Sequence, residues 1–190
     1  MRRYKVKKGK QAFRPSVSFC PRWAMGFELT SRLTPSCWWS AEDWQGDADR
    51  SDWNKLGGMT FALSRNNRTA ALIAWRPADL RNTFLITGYT NDSKGGWQVG
   101  AESIGYLVVS AGDTFTCTAR LEQSMVATHV RYEIQNDTGE SIWFYHQFDS
   151  PILPLYRQVC AWIGGANNAP GDYGGEAHKR MVLYKDFKFT

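Results

Sequence analysis

Residues 36–53 hold the densest set of groups that could do chemistry: Trp38, Trp39, Trp44 and Trp53 interleave with five carboxylates, Glu42, Asp43, Asp47, Asp49 and Asp52. An indole covers the apolar C–H face of a pyranose while nearby carboxylates and amides bond its hydroxyls. This composition therefore points to glycan binding through Trp38, Trp39, Trp44, Asp47, Asp49 and Trp53. The competing assignment is structural, with Trp38 or Trp39 and Trp53 capping the open end of a sandwich. Asp47-x-Asp49-x-Ser51 also sets hard oxygens at alternate positions, as a calcium loop begins. Such a loop then needs Gly at its sixth place and a bidentate Glu at its twelfth, where Asp52 and Gly58 stand. Calcium is left as a loose oxygen site, and no cofactor is expected.

Other catalytic arrangements fail on spacing. A glycoside hydrolase sets two carboxyl groups about 5–10 Å apart across a cleft. Here Glu133 stands between Tyr132 and Ile134, Glu140 sits in a turn, and no strand carries a Glu-x-Asp-x-x-Glu pattern. No Gly-x-Ser-x-Gly occurs, and His129, His146 and His178 lack a surrounding motif, which argues against a Ser-His-Asp hydrolase. Residues 163–175 are rich in glycine but lack the Lys-Ser/Thr of a phosphate loop, so they read as a tight surface loop. Cys20, Cys37, Cys117 and Cys160 are widely spaced, with no Cys-x-x-Cys pair for zinc or redox chemistry. No catalytic residue or metal ligand is assigned, and the chain is expected not to be an enzyme.

The charge is unevenly spread. The formal net charge is +5, yet residues 1–27 contain eight cations and no acid, leaving fifteen bases against eighteen acids in the rest. A mildly acidic body thus carries a basic arm. The expected division is an arm with the first strand at 1–20 and a single sandwich domain at 21–190. Arg2, Arg3, Lys5, Lys7, Lys8 and Lys10 are its candidate partner-binding residues, since an acidic subunit, an anionic surface or a nucleic acid all reward clustered cations. A lysine-studded edge strand that discourages sheet-to-sheet pairing is the structural alternative. No apolar leader follows the basic start, and no segment approaches the ~20 apolar residues of a membrane span. The chain is expected to stay in a reducing host cytoplasm, without a membrane, its thiols buried.

These groups must be positioned by strands. In Thr114 to Glu122, Phe115, Cys117, Ala119 and Leu121 share one face while threonines and charges take the other, the mark of a half-buried strand. Val130, Tyr132 and Ile134 repeat the pattern, leaving His129 on the wet face. Asn136 to Gly139 supplies a turn, and Ile142, Phe144 and Phe148 form a third strand of a meander, with His146 facing inward. Further strands are expected at Tyr4/Val6, Trp23 to Leu29, Met59 to Leu63, Thr69 to Trp75, Thr83 to Tyr89, Trp97 to Val99 and Met181 to Phe189. Residues 41–53 and 153–161 read as loops with at most a helical turn. The fold class is therefore all-β, an antiparallel two-sheet sandwich with little helix.

The order of several motifs resembles a known group. Tyr4 to Lys10, Cys37-Trp38, Asp52 to Gly58, the strand from Ala70 to Pro77 and the stretch from Trp162 to Pro170 together resemble short jelly-roll proteins, concanavalin-A-like in outline, of Bacteroidota tailed phages, including crAss-like phages. That resemblance implies a virion component or a contact with host glycan. The leading expectation is a non-catalytic module of a phage particle, on head or tail, whose arm docks on other virion proteins or on itself and whose aromatic loops meet a glycan. One alternative is a glycan-active hydrolase or lyase of the same fold, using Glu42, Asp43 and Asp47. Nucleic-acid binding through residues 1–14 ranks last, because no second basic patch is visible in the sequence.

Overall fold

A computed structural model of the chain describes residues 1–15, 24–40, 53–60, 69–92, 95–99, 105–123, 128–148, 157–159, 161–163 and 179–190. Apart from one 3-10 turn at Pro35–Cys37, the regular structure in them is β. Twelve strands are defined: β1 (Arg2–Val6), β2 (Gly26–Leu33), β3 (Asn54–Thr60), β4 (Ala70–Pro77), β5 (Thr83–Asp92), β6 (Gly95–Val99), β7 (Leu107–Ser110), β8 (Thr114–Gln123), β9 (Thr128–Asn136), β10 (Ser141–Gln147), β11 (Arg157–Val159) and β12 (Met181–Phe189). Sheet I runs β1-β12-β2-β8-β9-β10. Sheet II runs β11-β3-β4-β5-β6, with β7 also on β5, and every pairing is antiparallel. The expected all-β sandwich is the observed fold.

Alternation places the core. Phe115, Cys117, Ala119 and Leu121 of β8 and Val130, Tyr132 and Ile134 of β9 are buried against Ile73, Trp75, Phe84 and Ile86 of sheet II. Each large side chain so removed from water contributes about 1.5–3 kcal/mol. Two polar ties cross this layer. The Tyr132 hydroxyl lies 2.9 Å from Thr90 Oγ1 and donates to the Tyr89 carbonyl at 3.1 Å. The Lys185 ammonium of β12 donates to the Leu56 carbonyl of β3 at 2.8 Å and lies 4.8 Å from the Tyr4 ring centroid. A buried ammonium is tolerated because these groups replace part of its water shell.

The two sheets differ on their outer sides. In β4 every residue from Ala70 to Trp75 is buried, and on its outer side Ala70 and Leu72 pack with Tyr89 and Trp162. A strand covered on both faces loses its polar alternation. On β9 and β10 the outer residues instead alternate toward water. Along one flank the sheets are laced together by backbone. Lys5 and Arg14 exchange hydrogen bonds of 2.9 and 2.7 Å, Phe13 donates to the Ala161 carbonyl at 3.0 Å, and Trp162 pairs with Lys55. The basic segment is thus built into sheet I through β1, with Arg2, Arg3, Lys5, Lys7, Lys8 and Lys10 all exposed.

Three local differences from the sequence reading have physical causes. β2 begins at Gly26, so Met25 is exposed rather than inward. β3 spans Asn54–Thr60, whose Lys55, Gly57 and Gly58 hide the strand from a search for alternation. A short strand, β11, occupies Arg157–Val159, where a loop was expected; it is held by its pairing to β3.

Two tests follow from the core. A Cβ on Gly88 would meet Phe144 Cε2 and Tyr132 Cγ at 2.6 Å, so Gly88→Ala should lower the unfolding free energy by about 1–3 kcal/mol, read from urea denaturation. An unchanged midpoint refutes that packing. Burial pushes the Cys37 thiol from 9.0 up to about 11, only partly offset by hydrogen bonds, and pushes Cys117 further up. Above pH 9 the unfolded chain therefore releases these protons while the native chain keeps them, so stability falls as pH rises from 9 toward 11. Cys117→Ala and Cys37→Ala should each shallow that fall in denaturation curves measured across the same range.

Candidate functional site

The open face of sheet I is built from the outward residues of β2, β8, β9 and β10. Register brings Arg120 of β8 directly opposite Arg131 of β9, Thr118 opposite Glu133, Thr116 opposite Gln135, and Glu122 opposite His129. On the next strand Tyr145 lies opposite Arg131 and Trp143 opposite Glu133. Thr116, Thr118, Arg120, Glu122, Arg131, Glu133 and Gln135 line a shallow cavity of about 360 Å³.

Its electrostatics are unusual for a protein surface. Like charges directly opposite in an antiparallel pair repel and destabilise it, and a neighbouring carboxylate ordinarily relieves this. Among the described residues, no carboxylate lies within ion-pair distance of Arg120 or Arg131, although Glu122 and Glu133 share the face. The outer acid of β2, Glu28, is taken by Lys188 at 2.8 Å. Arg131 instead approaches two rings, its Cζ 5.8 Å from the Trp143 centroid and 5.9 Å from Tyr145. Its Nε is buried and makes no hydrogen bond. A buried N–H without an acceptor is costly.

The aromatic wall is open. Trp143 is 62 % exposed and Tyr145 45 % exposed, and the two rings pack edge-to-face at 5.7 Å. On one strand they present a flat apolar face and a phenol beside two guanidiniums. That combination can stack a sugar ring, neutralise a carboxylate and pass a proton.

The residues singled out from the sequence lie elsewhere or outside the described residues. Trp39 and Trp53 are buried, Trp39 edge-on to Trp75 at 5.7 Å, and Trp53 under Arg76, whose Cζ lies 4.7 Å from its ring centroid. Neither offers an open face. Trp38 is half-buried and donates from Nε1 to the Ala78 carbonyl at 3.1 Å. Trp44, Asp47 and Asp49 lie outside the described residues, as do Glu42 and Asp43. Among the described residues, no group of three or more His, Cys, Asp or Glu could hold a metal ion, and no helix is long and apolar enough to cross a membrane. His129 lies on the outer face as expected. His146 is turned inward, 3.4 Å from Asp92 and against Phe148.

The fold defines a class, the antiparallel two-sheet sandwich of the jelly-roll kind. Over 97 % of this chain and 78 % of the other, it is similar to the solved structure of the alginate lyase Aly36B, with a TM-score of 0.56 and 11 % identity. Over 99 % and 82 % it is similar to the PL-14 alginate lyase from Aplysia kurodai, with a TM-score of 0.50 and 10 % identity. No family model matches the chain, and no curated protein does. At these identities the likeness establishes the shared fold. The expectation of a non-catalytic virion module that is not an enzyme is corrected at this point, because both solved structures are glycan-cleaving enzymes.

Trp143 and Tyr145 lie on the wet face of β10, so Trp143→Ala and Tyr145→Phe should each leave unfolding stability within about 0.5 kcal/mol of the parent. A larger loss in thermal denaturation assigns these rings to the scaffold instead.

Proposed function

We propose that the chain is a polysaccharide lyase that cleaves an acidic, uronate-containing glycan on the open face of sheet I. The observation that carries this reading is the Arg120–Arg131 pair, directly opposed, with no carboxylate at ion-pair distance among the described residues, and walled by the exposed Trp143 and Tyr145. The two similar alginate lyases support it.

The chemistry suits the residues. In a 4-linked uronate the C5 proton is adjacent to the carboxylate, and its removal builds negative charge on the carboxylate oxygens. Arg131, which lines the cavity, binds that carboxylate through its guanidinium fork and stabilises the growing charge, with Arg120 beside it. The C4–O bond then breaks, a C4=C5 double bond forms, and the proton lost from C5 is balanced by one delivered to the leaving glycosidic oxygen. No water is consumed. Tyr145 is the exposed phenol beside Arg131 and serves as the proton-transfer group, while Trp143 stacks on a neighbouring sugar.

A hydrolase is less well served by the same face. Glu122 is opposite His129, and Glu133 lies four residues further along β9, a separation of roughly 13 Å. Paired hydrolytic carboxylates stand about 5–10 Å apart.

The test is elimination on polyuronates, followed by the ultraviolet absorbance of the conjugated product, beside release of reducing ends from neutral glucans. Arg131→Ala should lower kcat/KM on the acidic polymer by about 10²–10³-fold. Tyr145→Phe should lower kcat by about 10²–10⁴-fold. Absence of the unsaturated product across uronate polymers, or activity that survives both changes, refutes the reading.

A further inference from the structure

The edge of sheet I farthest from Trp143 carries a second concave surface. β1 leads through Lys7 and Lys8 into a turn in which Lys10 N–H bonds the Lys7 carbonyl at 3.2 Å and Gly9 takes a φ of +68°. The chain then returns along β1, with Arg14 pairing to Lys5. Lys5, Lys7, Lys10, Gln11, Ala12 and Arg14 line a groove of about 510 Å³ there. Its described lining has four cations and no acid. Lys5, Lys7 and Lys10 are exposed and make no ion pair among the described residues. Phe13 beneath the groove is fully buried, and its backbone is bonded to Ala161, so the groove stands on the body of the fold.

We propose that this groove is a second, remote binding site for the acidic polysaccharide, gripping carboxylates of the same polymer chain whose other end lies at Arg120 and Arg131. The inference rests on the uronate reading of the open face. Lys5 projects on the same side of sheet I as that pair, three strands away and roughly eight residues further along. At ~4.8 Å per strand and ~3.3 Å per residue, the two cationic centres lie roughly 30 Å apart. Between them, on β2, Arg32 stands over the Tyr184 ring, its Cζ 4.8 Å from the centroid. A polymer bearing one carboxylate per sugar can touch all three, whereas a short oligomer reaches only one. An acidic glycan fits better than single-stranded nucleic acid, which uses aromatic platforms for its bases, because the described lining of the groove holds no aromatic side chain.

The test measures binding rather than turnover, by native electrophoresis of the full chain through gels containing long polyuronate, neutral glucan or neither. With Lys5→Gln, Lys7→Gln and Lys10→Gln combined, the dissociation constant for long polyuronate should rise about tenfold, each lost cation contributing a few-fold. The dependence of binding on salt should become shallower, as expected when fewer cations contact a polyanion. The turn variant Lys7→Gln with Lys10→Gln should give an intermediate loss and guards against misfolding of β1. Unchanged affinity in both variants, equal retardation by neutral glucan, or equally strong competition by single-stranded DNA of matched charge overturns the inference. Wild type that is retarded but produces no unsaturated sugar, with retardation lost in the triple variant, overturns the lyase reading and leaves this site standing. Elimination that proceeds while the triple variant binds polyuronate as before overturns this site alone.

Discussion

The open face depends on one buried contact, the seating of Tyr132 against Gly88 with its hydroxyl held by Thr90 and the Tyr89 carbonyl. A strand can satisfy its backbone in more than one register, but a shift of one residue turns every side chain to the other face. Tyr132 cannot make that shift. It fills a space that only glycine leaves in β5, and burial raises the pKa of its phenol, so the neutral hydroxyl is kept to bond across the two sheets. With Tyr132 fixed inward, Arg131 and Glu133 must point outward. The pairings of β8 and β10 to β9 then place Arg120, Trp143 and Tyr145 around Arg131.

The sandwich is asymmetric for a related reason. Sheet II is apolar where it meets sheet I and is also buried on its outer side around Ala70, Leu72 and Trp162, so it contributes scaffold. Sheet I has one apolar face and one carrying threonines, guanidiniums, carboxylates and open rings. The opposed arginines cost stability in the absence of an anion, and such local conflicts concentrate where a ligand resolves them. The same reasoning joins the basic β1 edge to the proposal, because it lies on the same side of the same sheet.

Much of the fold is legible in the sequence. Phe115 to Leu121, Val130 to Ile134 and the turn at Asn136 to Gly139 announce β8, β9 and their hairpin partner β10 by strict alternation and turn chemistry. β3 is not legible, since a strand enclosed on both sides has no wet face to mark the period, and Gly57 and Gly58 weaken its strand character. The tryptophans of residues 36–53 show the limit of composition. An indole suits a sugar or a core equally well, and Trp39 and Trp53 went to the core.

The amino-acid order by itself determined that Arg120, Arg131, Trp143 and Tyr145 would face away from the core, because each sits one residue out of phase with buried or partly buried neighbours on its own strand. Only the tertiary structure decided that they would face away together. Their meeting requires β8, β9 and β10 to pair in one register, and that register is set by contacts with sheet II more than forty residues away in sequence, between Tyr132 and Gly88, Tyr89 and Thr90. Side-chain period is a local property of a strand, whereas adjacency between strands is settled by how the two sheets pack.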